Sequence, residues 1–285
     1  MVAPLESLDI FFLEDVLWIA VATIDVPRYD FSFPNFFVCR RPYYRPENIT
    51  AIGRFGVTTN YADLYNALEV SGISLVHTPA QYLLASELTH WYPKLSALTP
   101  RSVWFETPPS PAEIESVFEY PIFLKGSRQT SRHQANLSIV RSRSEYEYAV
   151  EQYRNNPILH WQQFVCREFV ELRRVSGRTT GKIPPSFEFR TFWWRGYCVG
   201  AGAYWAEFAS YSWDEVEKAA GLKIAQEAVS QLDVPFLVVD IAQNRNGEWL
   251  VIECNDGQES GYAGISPIAL WQNIVALEKR LNSNS

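Results

Sequence analysis

Residues 238–261 read VVDIAQNRNGEWLVIECNDGQESG. Two apolar runs flank a polar turn, which predicts a β-hairpin. Asn246-Gly247 is the strongest short turn signal in the chain, because a two-residue type I′ turn needs positive φ at both central positions. With that turn, Arg245 pairs with Glu248 and Asp240 falls opposite Glu253. Side chains alternate faces along a strand, and cross-strand neighbours have Cβ atoms about 5 Å apart. Asp240, Glu253 and Asn255 then share one face, while Val239, Ile241, Leu250, Ile252 and Cys254 take the other. Like charges directly opposite each other are destabilising. Two carboxylates so placed need a cation, or one must hold a proton. Two carboxylates and an amide suit a hard divalent ion, Mg²⁺ or Mn²⁺, better than zinc. Taken alone, the same acids also fit a solvated hairpin face.

Basic partners lie upstream. Lys is scarce, and Lys125 ends the apolar run YPIFLK (120–125) before a small, polar, basic loop, Gly126 to His133. A Lys leaving a strand into such a loop suits phosphate, with the ammonium giving charge and backbone N–H and hydroxyl groups giving donors. Arg128 and His133 are candidate contacts in that loop. The P-loop spacing is absent. A snorkelling Lys with a solvated loop is the plain alternative. Glu188 and Arg190 share a face of the strand-like run FEFRTF (187–192), where Arg can grip phosphate or carboxylate in a bidentate fork. An internal Glu–Arg pair explains the same pattern. Arg167 to Glu171 joins two apolar pieces and offers backbone groups to a nucleobase and an acid to a ribose. Asp256 to Gly261 is a Gly-containing polar loop next to the acid pair, or a plain exit turn.

The 285-residue chain is 47% hydrophobic, enough for one large domain or a few small lobes. Aromatic content of 15% argues against disorder. A net charge of −7 argues against nucleic acid or an anionic membrane as a general partner. Arg167, Arg173, Arg174 and Arg178 leave only a weak case for RNA. Cys39, Cys166, Cys198 and Cys254 are scattered without metal spacing, which fits a reducing cytoplasm. Val16 to Ile24 is too short to span a bilayer and follows Glu14 and Asp15, so it reads as a buried strand.

The order of elements predicts a small α/β domain over 1–85, a small α+β lobe over 86–165 and an antiparallel α+β lobe over 166–285. Val16–Ile24, Phe36–Cys39 and Ile73–His77 read as strands, and Tyr61–Val70 as a helix ended by Gly72. Ser110, Ser144 and Ser212 are expected to open helices, and a last helix runs from about Pro267 to Leu281.

This set resembles the ATP-grasp superfamily in order and spacing. The strand ending in Lys (YPIFLK), the loop after it, the segment QQFVCREFVEL, the ExR strand FEFRTF and the D…ExN hairpin carry the likeness. HTPAQYLLASELTHWYPKLSALTPRSVWF is also like the bacterial and phage amide or peptide ligase-type branch. The likeness covers roughly residues 50–275, and the hairpin is its most specific part. It implies an α+β fold of two lobes clamping ATP, preceded by a small α/β domain. It implies a cytoplasmic carboxylate–amine ligase that forms an acyl phosphate and then an amide from small-molecule or peptide substrates. By the resemblance, Asp240, Glu253 and Asn255 hold Mg²⁺, Lys125 contacts the phosphates, and Arg190 binds the γ-phosphate or acyl phosphate. Glu168, Phe169 and Val170 meet adenine through the backbone, with Glu171 on ribose. Ser260 and Gly261 line the acceptor site, and Lys182 enters from the 173–185 loop. The chain departs from the family in having no Lys between Lys94 and Lys125, where Arg101 is a candidate replacement. A binding module without catalysis and an ATP-grasp phosphotransferase are the alternative functions.

Overall fold

The computed structural model describes residues 49–54, 60–70, 72–128, 135–156, 159–178 and 183–283. The strands expected at Val16–Ile24 and Phe36–Cys39, and the candidate contacts His133 and Lys182, lie outside these residues.

The first described elements are β1 (Ile49–Ala51), α1 (Tyr61–Val70) and β2 (Ile73–Leu75), with β1 and β2 parallel. Gly72 has φ +74°, which lets the chain leave α1 and turn into β2. Helices α2 (Pro79–Ser86) and α3 (Leu88–Leu95) follow. Thr78 and Gln81 form a capping box at the start of α2, with Pro79 at its first position.

One antiparallel sheet has the order β3-β6-β4-β5, from β3 (Ser102–Phe105), β4 (Ile122–Gly126), β5 (Ile139–Val140) and β6 (Phe164–Glu168). β6 straddles residue 165, where the sequence suggests a lobe boundary. Between these strands run α4 (Pro111–Glu115), α5 (Ala135–Ser138) and α6 (Arg143–Asn155). Ile122, Leu124, Phe164 and Cys166 pack beneath Tyr146, Ala149 and Tyr153 of α6. The period of two therefore turns Phe123, Lys125 and Arg167 to the opposite face. Ser110 caps α4 as expected. The cap of α6 is Ser142, not Ser144.

The second antiparallel sheet has the order β10-β9-β7-β8, from β7 (Glu188–Trp194), β8 (Tyr197–Ala203), β9 (Phe236–Gln243) and β10 (Trp249–Asp256). Helix α7 (Glu215–Gln231) precedes β9, and α8 (Pro267–Ser283) ends the fold. Asp214, not Ser212, caps α7, in a box with Glu217. Phe189, Trp193, Val239 and Ile241 pack with Ala225, Ala228 and Val229 of α7 and with Trp91 of α3. Phe192, Trp194, Phe236 and Val238 occupy the other face with Trp271 and Ile274 of α8. Farther along, that second face changes character: Glu188, Arg190 and Asp240 replace the apolar residues. Among the described residues no helix is long and apolar enough to cross a membrane.

The hairpin itself differs from expectation in two places. Asn244, not Arg245, meets Glu248, through Asn244 N–H to Glu248 O at 2.8 Å. The loop therefore has three residues. Gly247 N–H donates to Asn244 O at 3.1 Å, and Gly247 has φ +89° while Asn246 does not have positive φ. This is a turn closed by a left-handed Gly, not a type I′ turn. The pairs Trp249–Gln243, Leu250–Ala242 and Val251–Ile241 are one step out of the expected register. A bulge at Ile252 then restores it, and Glu253 faces Asp240 after all. The slip also corrects the faces of the first half of β10. Val251 joins the core, whereas Leu250 and Ile252 line the cleft.

Candidate active site

A cleft of about 490 Å³ lies between the two sheets, a size suited to a small-molecule or nucleotide site. Its walls are mainly apolar, from Phe123, Ile139, Val170, Ile183, Leu250 and Ile252. Lys125, Arg167, Glu188 and Glu253 bring charge into it, and Glu168, Phe169 and Glu171 also line it.

Lys125 is 2% exposed and forms an ion pair with Glu253. Burial pulls the Lys125 ammonium below its ordinary range, against the opposing attraction of Glu253. Arg190 and Asp240 are cross-strand partners on β7 and β9. Arg190 Nε donates to Asp240 Oδ1 at 2.8 Å and Nη2 to Oδ2 at 2.7 Å, a bidentate pair. Burial acts to lower the Arg190 guanidinium, but Asp240 outweighs it and holds it above its ordinary value. Arg190 Nη1 also donates to Gly261 O at 2.9 Å, tying the loop after β10 to the site. Asn255 Nδ2 reaches Asp240 Oδ2 at 3.4 Å. Arg190, Asp240 and Asn255 do not line the cleft itself; they form a network beside Glu253.

No group of three or more His, Cys, Asp and Glu side chains suited to a metal occurs among the described residues. The oxygen set is smaller: two carboxylates on one face, and an Asn255 Oδ1 that accepts no hydrogen bond among the described residues. All three donors are hard oxygens, which fits Mg²⁺. Each acid is also matched to a basic side chain, so a metal can enter only as Lys125 and Arg190 find another anion.

Glu188 is buried at the cleft wall, and its Oε2 accepts from Trp205 Nε1 at 2.9 Å and Ser186 Oγ at 3.1 Å. Burial first, and the Asp240 charge second, push its carboxyl up to about 8. Its folded value exceeds its unfolded one. The stability Glu188 contributes is thus present below the unfolded carboxylate range and is lost as pH rises through about 8. Glu188→Gln, which stays neutral, is expected to flatten the fall in stability between about pH 5 and 8, read by urea unfolding at both ends.

Other sequence candidates sit at the rim of the cleft or outside its lining. Arg128 is buried, with Nη2 at 2.6 Å from Glu87 and Nη1 donating to Tyr82 Oη at 3.1 Å. Glu171 lies at the rim and pairs with Arg245 at 2.8 Å. Ser260 Oγ donates to Asp256 O at 2.8 Å. Arg101, the candidate replacement for the missing Lys, donates to Val117 O and stacks on Phe118, and it is not among the residues that line the cleft. Arg167, one of the four arginines weighed for RNA, is 4% exposed.

Two residues that support the site carry no local sequence signal. Arg54 donates to the carbonyls of Gly257, Gln258 and Ser260 at 2.8–3.1 Å, clamping the loop after β10. His77 accepts from Phe236 N–H through Nε2, and its Nδ1 lies 3.0 Å from Asp256 Oδ1. A neutral ring then carries its proton on Nδ1, toward Asp256.

A family model described as an ATP-grasp domain matches residues 90–274. The chain belongs to this ATP-grasp family. Similar solved ATP-grasp folds include a RimK domain protein from Sphaerobacter thermophilus DSM 20745, at 15% identity and TM-score 0.55, covering 85% of this chain and 89% of that one. The D-alanine-D-alanine ligase from Coxiella burnetii matches at 15% identity and TM-score 0.57, over 85% of this chain and 70% of that one. The D-alanine–D-alanine ligase from Bacillus anthracis, complexed with ATP, matches at 12% identity and TM-score 0.55, over 84% and 81%. At these identities the likeness is one of fold. No protein of curated function matches the sequence. For this ATP-grasp chain, the match takes in Lys125, the 168–171 segment, Arg190 and the acid hairpin together.

Proposed function

We propose that this chain is an ATP- and Mg²⁺-dependent carboxylate–amine ligase acting through an acyl phosphate. The observation that carries the reading is the pairing of Lys125 with Glu253 at the cleft and of Arg190 with Asp240 in the network beside it. Two cations and two acids so arranged can be exchanged for a nucleotide's phosphates and their metal. Lys125 and Arg190 would turn from the carboxylates to phosphate oxygens. Asp240, Glu253 and the Asn255 carbonyl oxygen would hold Mg²⁺, which neutralises charge on the phosphates when bound. Nucleotide and metal therefore bind as one unit.

The base end is supported by unused backbone groups. The Glu168 carbonyl and the Val170 N–H make no hydrogen bond among the described residues. An acceptor and a donor at that spacing match the amino group and ring nitrogen of adenine. Glu171, which also lines the cleft, is the acid assigned to the ribose. In the transfer, a substrate carboxylate oxygen attacks the γ-phosphorus and the bond to the ADP oxygen breaks. Arg190 faces the charge that develops there. An amine then attacks the acyl carbon, phosphate leaves, and the amine gives up a proton. Ser260 and Gly261, held by Arg54 and Arg190, border the acceptor side. Two of the similar folds are named as D-alanine–D-alanine ligases, which supports small carboxylate and amine substrates for this chain also.

Hydroxylamine tests the reading. With ATP, Mg²⁺ and a panel of amino acids and short peptides, a hydroxamate and ADP are expected in equal amounts. A phosphorylated hydroxyl product without hydroxamate would instead establish a phosphotransferase. Thermal stabilisation by ATP and Mg²⁺ without turnover of any acceptor would establish a binding module.

A further inference from the structure

The facing of Glu253 and Asp240 depends on one bulge. Carried on without a break, the register of Trp249–Val251 would set Ile252 opposite Asp240 and turn Glu253 to the core face. The extra residue at Ile252 prevents this. β10 is an edge strand of its sheet, and its outer edge is held at the bulge by residues of the other sheet and the segment before it. Val251 N–H donates to Leu98 O at 2.8 Å, and Thr99 Oγ1 donates to Val251 O at 2.8 Å. Arg167 Nη1 donates to Ile252 O at 2.7 Å.

Arg167 is the charged member of this set. Its Nε donates to Ser102 Oγ, its cross-strand partner on β3, at 2.9 Å. Its guanidinium lies 6.0 Å from the centre of the Trp91 ring. It forms no ion pair among the described residues, and its buried Nη2 has no hydrogen-bond partner there. A buried guanidinium without a carboxylate is costly, so its place at the bulge calls for a role. Charge-assisted bonds are roughly twice as strong as neutral ones.

We propose that Arg167 is a positioning residue for the metal-binding face. It fixes the Ile252 bulge from across the cleft and so keeps Glu253 on the side of Asp240. The proposal rests on the metal assignment made above. It also explains how the two sheets are kept in step: the strand that carries the adenine-facing segment grips the strand that carries the acid.

The test uses the full chain, the non-hydrolysable analogue AMPPNP, and Mn²⁺ as a paramagnetic probe. In Arg167→Met, Mn²⁺ affinity of the nucleotide complex should fall by about 10- to 100-fold, the range for outer-shell partners of a metal site. Binding of AMPPNP without metal should change little. Backbone amides of 250–255 should exchange faster than in the parent, and those of β9 should not. Arg167→Lys keeps one donor for Ile252 O and should recover most of the metal affinity. Thr99→Val should shift it in the same direction as Arg167→Met. If Arg167→Met does not fold, the Lys and Thr99 variants carry the same comparison. Unchanged Mn²⁺ affinity with unchanged exchange at 250–255 would overturn the proposal. So would an equal loss of metal-free AMPPNP binding, which would make Arg167 a direct phosphate contact. If the parent itself binds no Mn²⁺ with AMPPNP, the metal assignment fails, and the exchange of 250–255 alone decides the role of Arg167 at the bulge.

Discussion

Glu253→Gln is expected to lower Mg²⁺-dependent ADP release by about 10²- to 10³-fold, the usual loss when one preorganised electrostatic contact to a developing charge is removed. The substitution keeps the size of the side chain and removes its charge. Glu253 stands opposite Asp240 and pairs with Lys125, so it is the group that joins the carboxylate face to the phosphate side. Gln can still accept a hydrogen bond from Lys125. It cannot offer an anionic oxygen to a divalent ion. The fold should survive, because Lys125 is already drawn toward its neutral form by burial and can give up its proton. Retained ADP release in Glu253→Gln would remove this residue from the site.

Asp240→Asn should have the larger effect on stability. It leaves Arg190, whose side chain is only 12% exposed, without its bidentate partner. Unlike Lys, Arg cannot shed its proton in a protein. Breaking a buried pair from one side typically costs about 3–5 kcal/mol. Pairing the change with Arg190→Met removes the stranded charge, and most of that loss should return. Urea unfolding of the parent, both single variants and the double variant gives the coupling directly. Additive single effects would show that the pair does not act as a unit. A smaller loss in Asp240→Asn than in Glu253→Gln would contradict the contrast between Arg190 and Lys125.

The elements of this fold are largely legible in the sequence because each rests on a local pattern. Tyr61–Val70, the Ser110 box, the strand ending in Lys125 and the C-terminal helix follow from periodicity and capping. Capping rules fail where the pattern recurs. Ser142 and Ser144 both have a Glu three residues on, and the local rule cannot choose between them. The same ambiguity displaces the start of α7 by two residues.

The hairpin shows a subtler limit. Asn246-Gly247 marks the turn, but one left-handed Gly serves a three-residue loop as well as a two-residue one. The bulge at Ile252 then corrects the register through contacts from Leu98, Thr99 and Arg167. Those residues are some 85 to 150 positions away, so no window around β10 reveals them. The turn rule pairs the two acids correctly only because the longer loop and the bulge cancel. Arg128 shows the same limit: its place after Lys125 suggests phosphate, and only the fold reveals that its guanidinium meets Glu87 and Tyr82. The clamp from Arg54 spans over 200 residues and has no local trace.

The acid hairpin and the two basic residues are proposed to bind a nucleotide together with its metal. Calorimetry of AMPPNP binding, with and without Mg²⁺, tests this proposal most directly on the parent, Asp240→Asn and Glu253→Gln. Mg²⁺ is expected to tighten binding to the parent and to fail to do so in both variants. Equal affinity with and without Mg²⁺ in the parent, or tightening that survives in both variants, would contradict it.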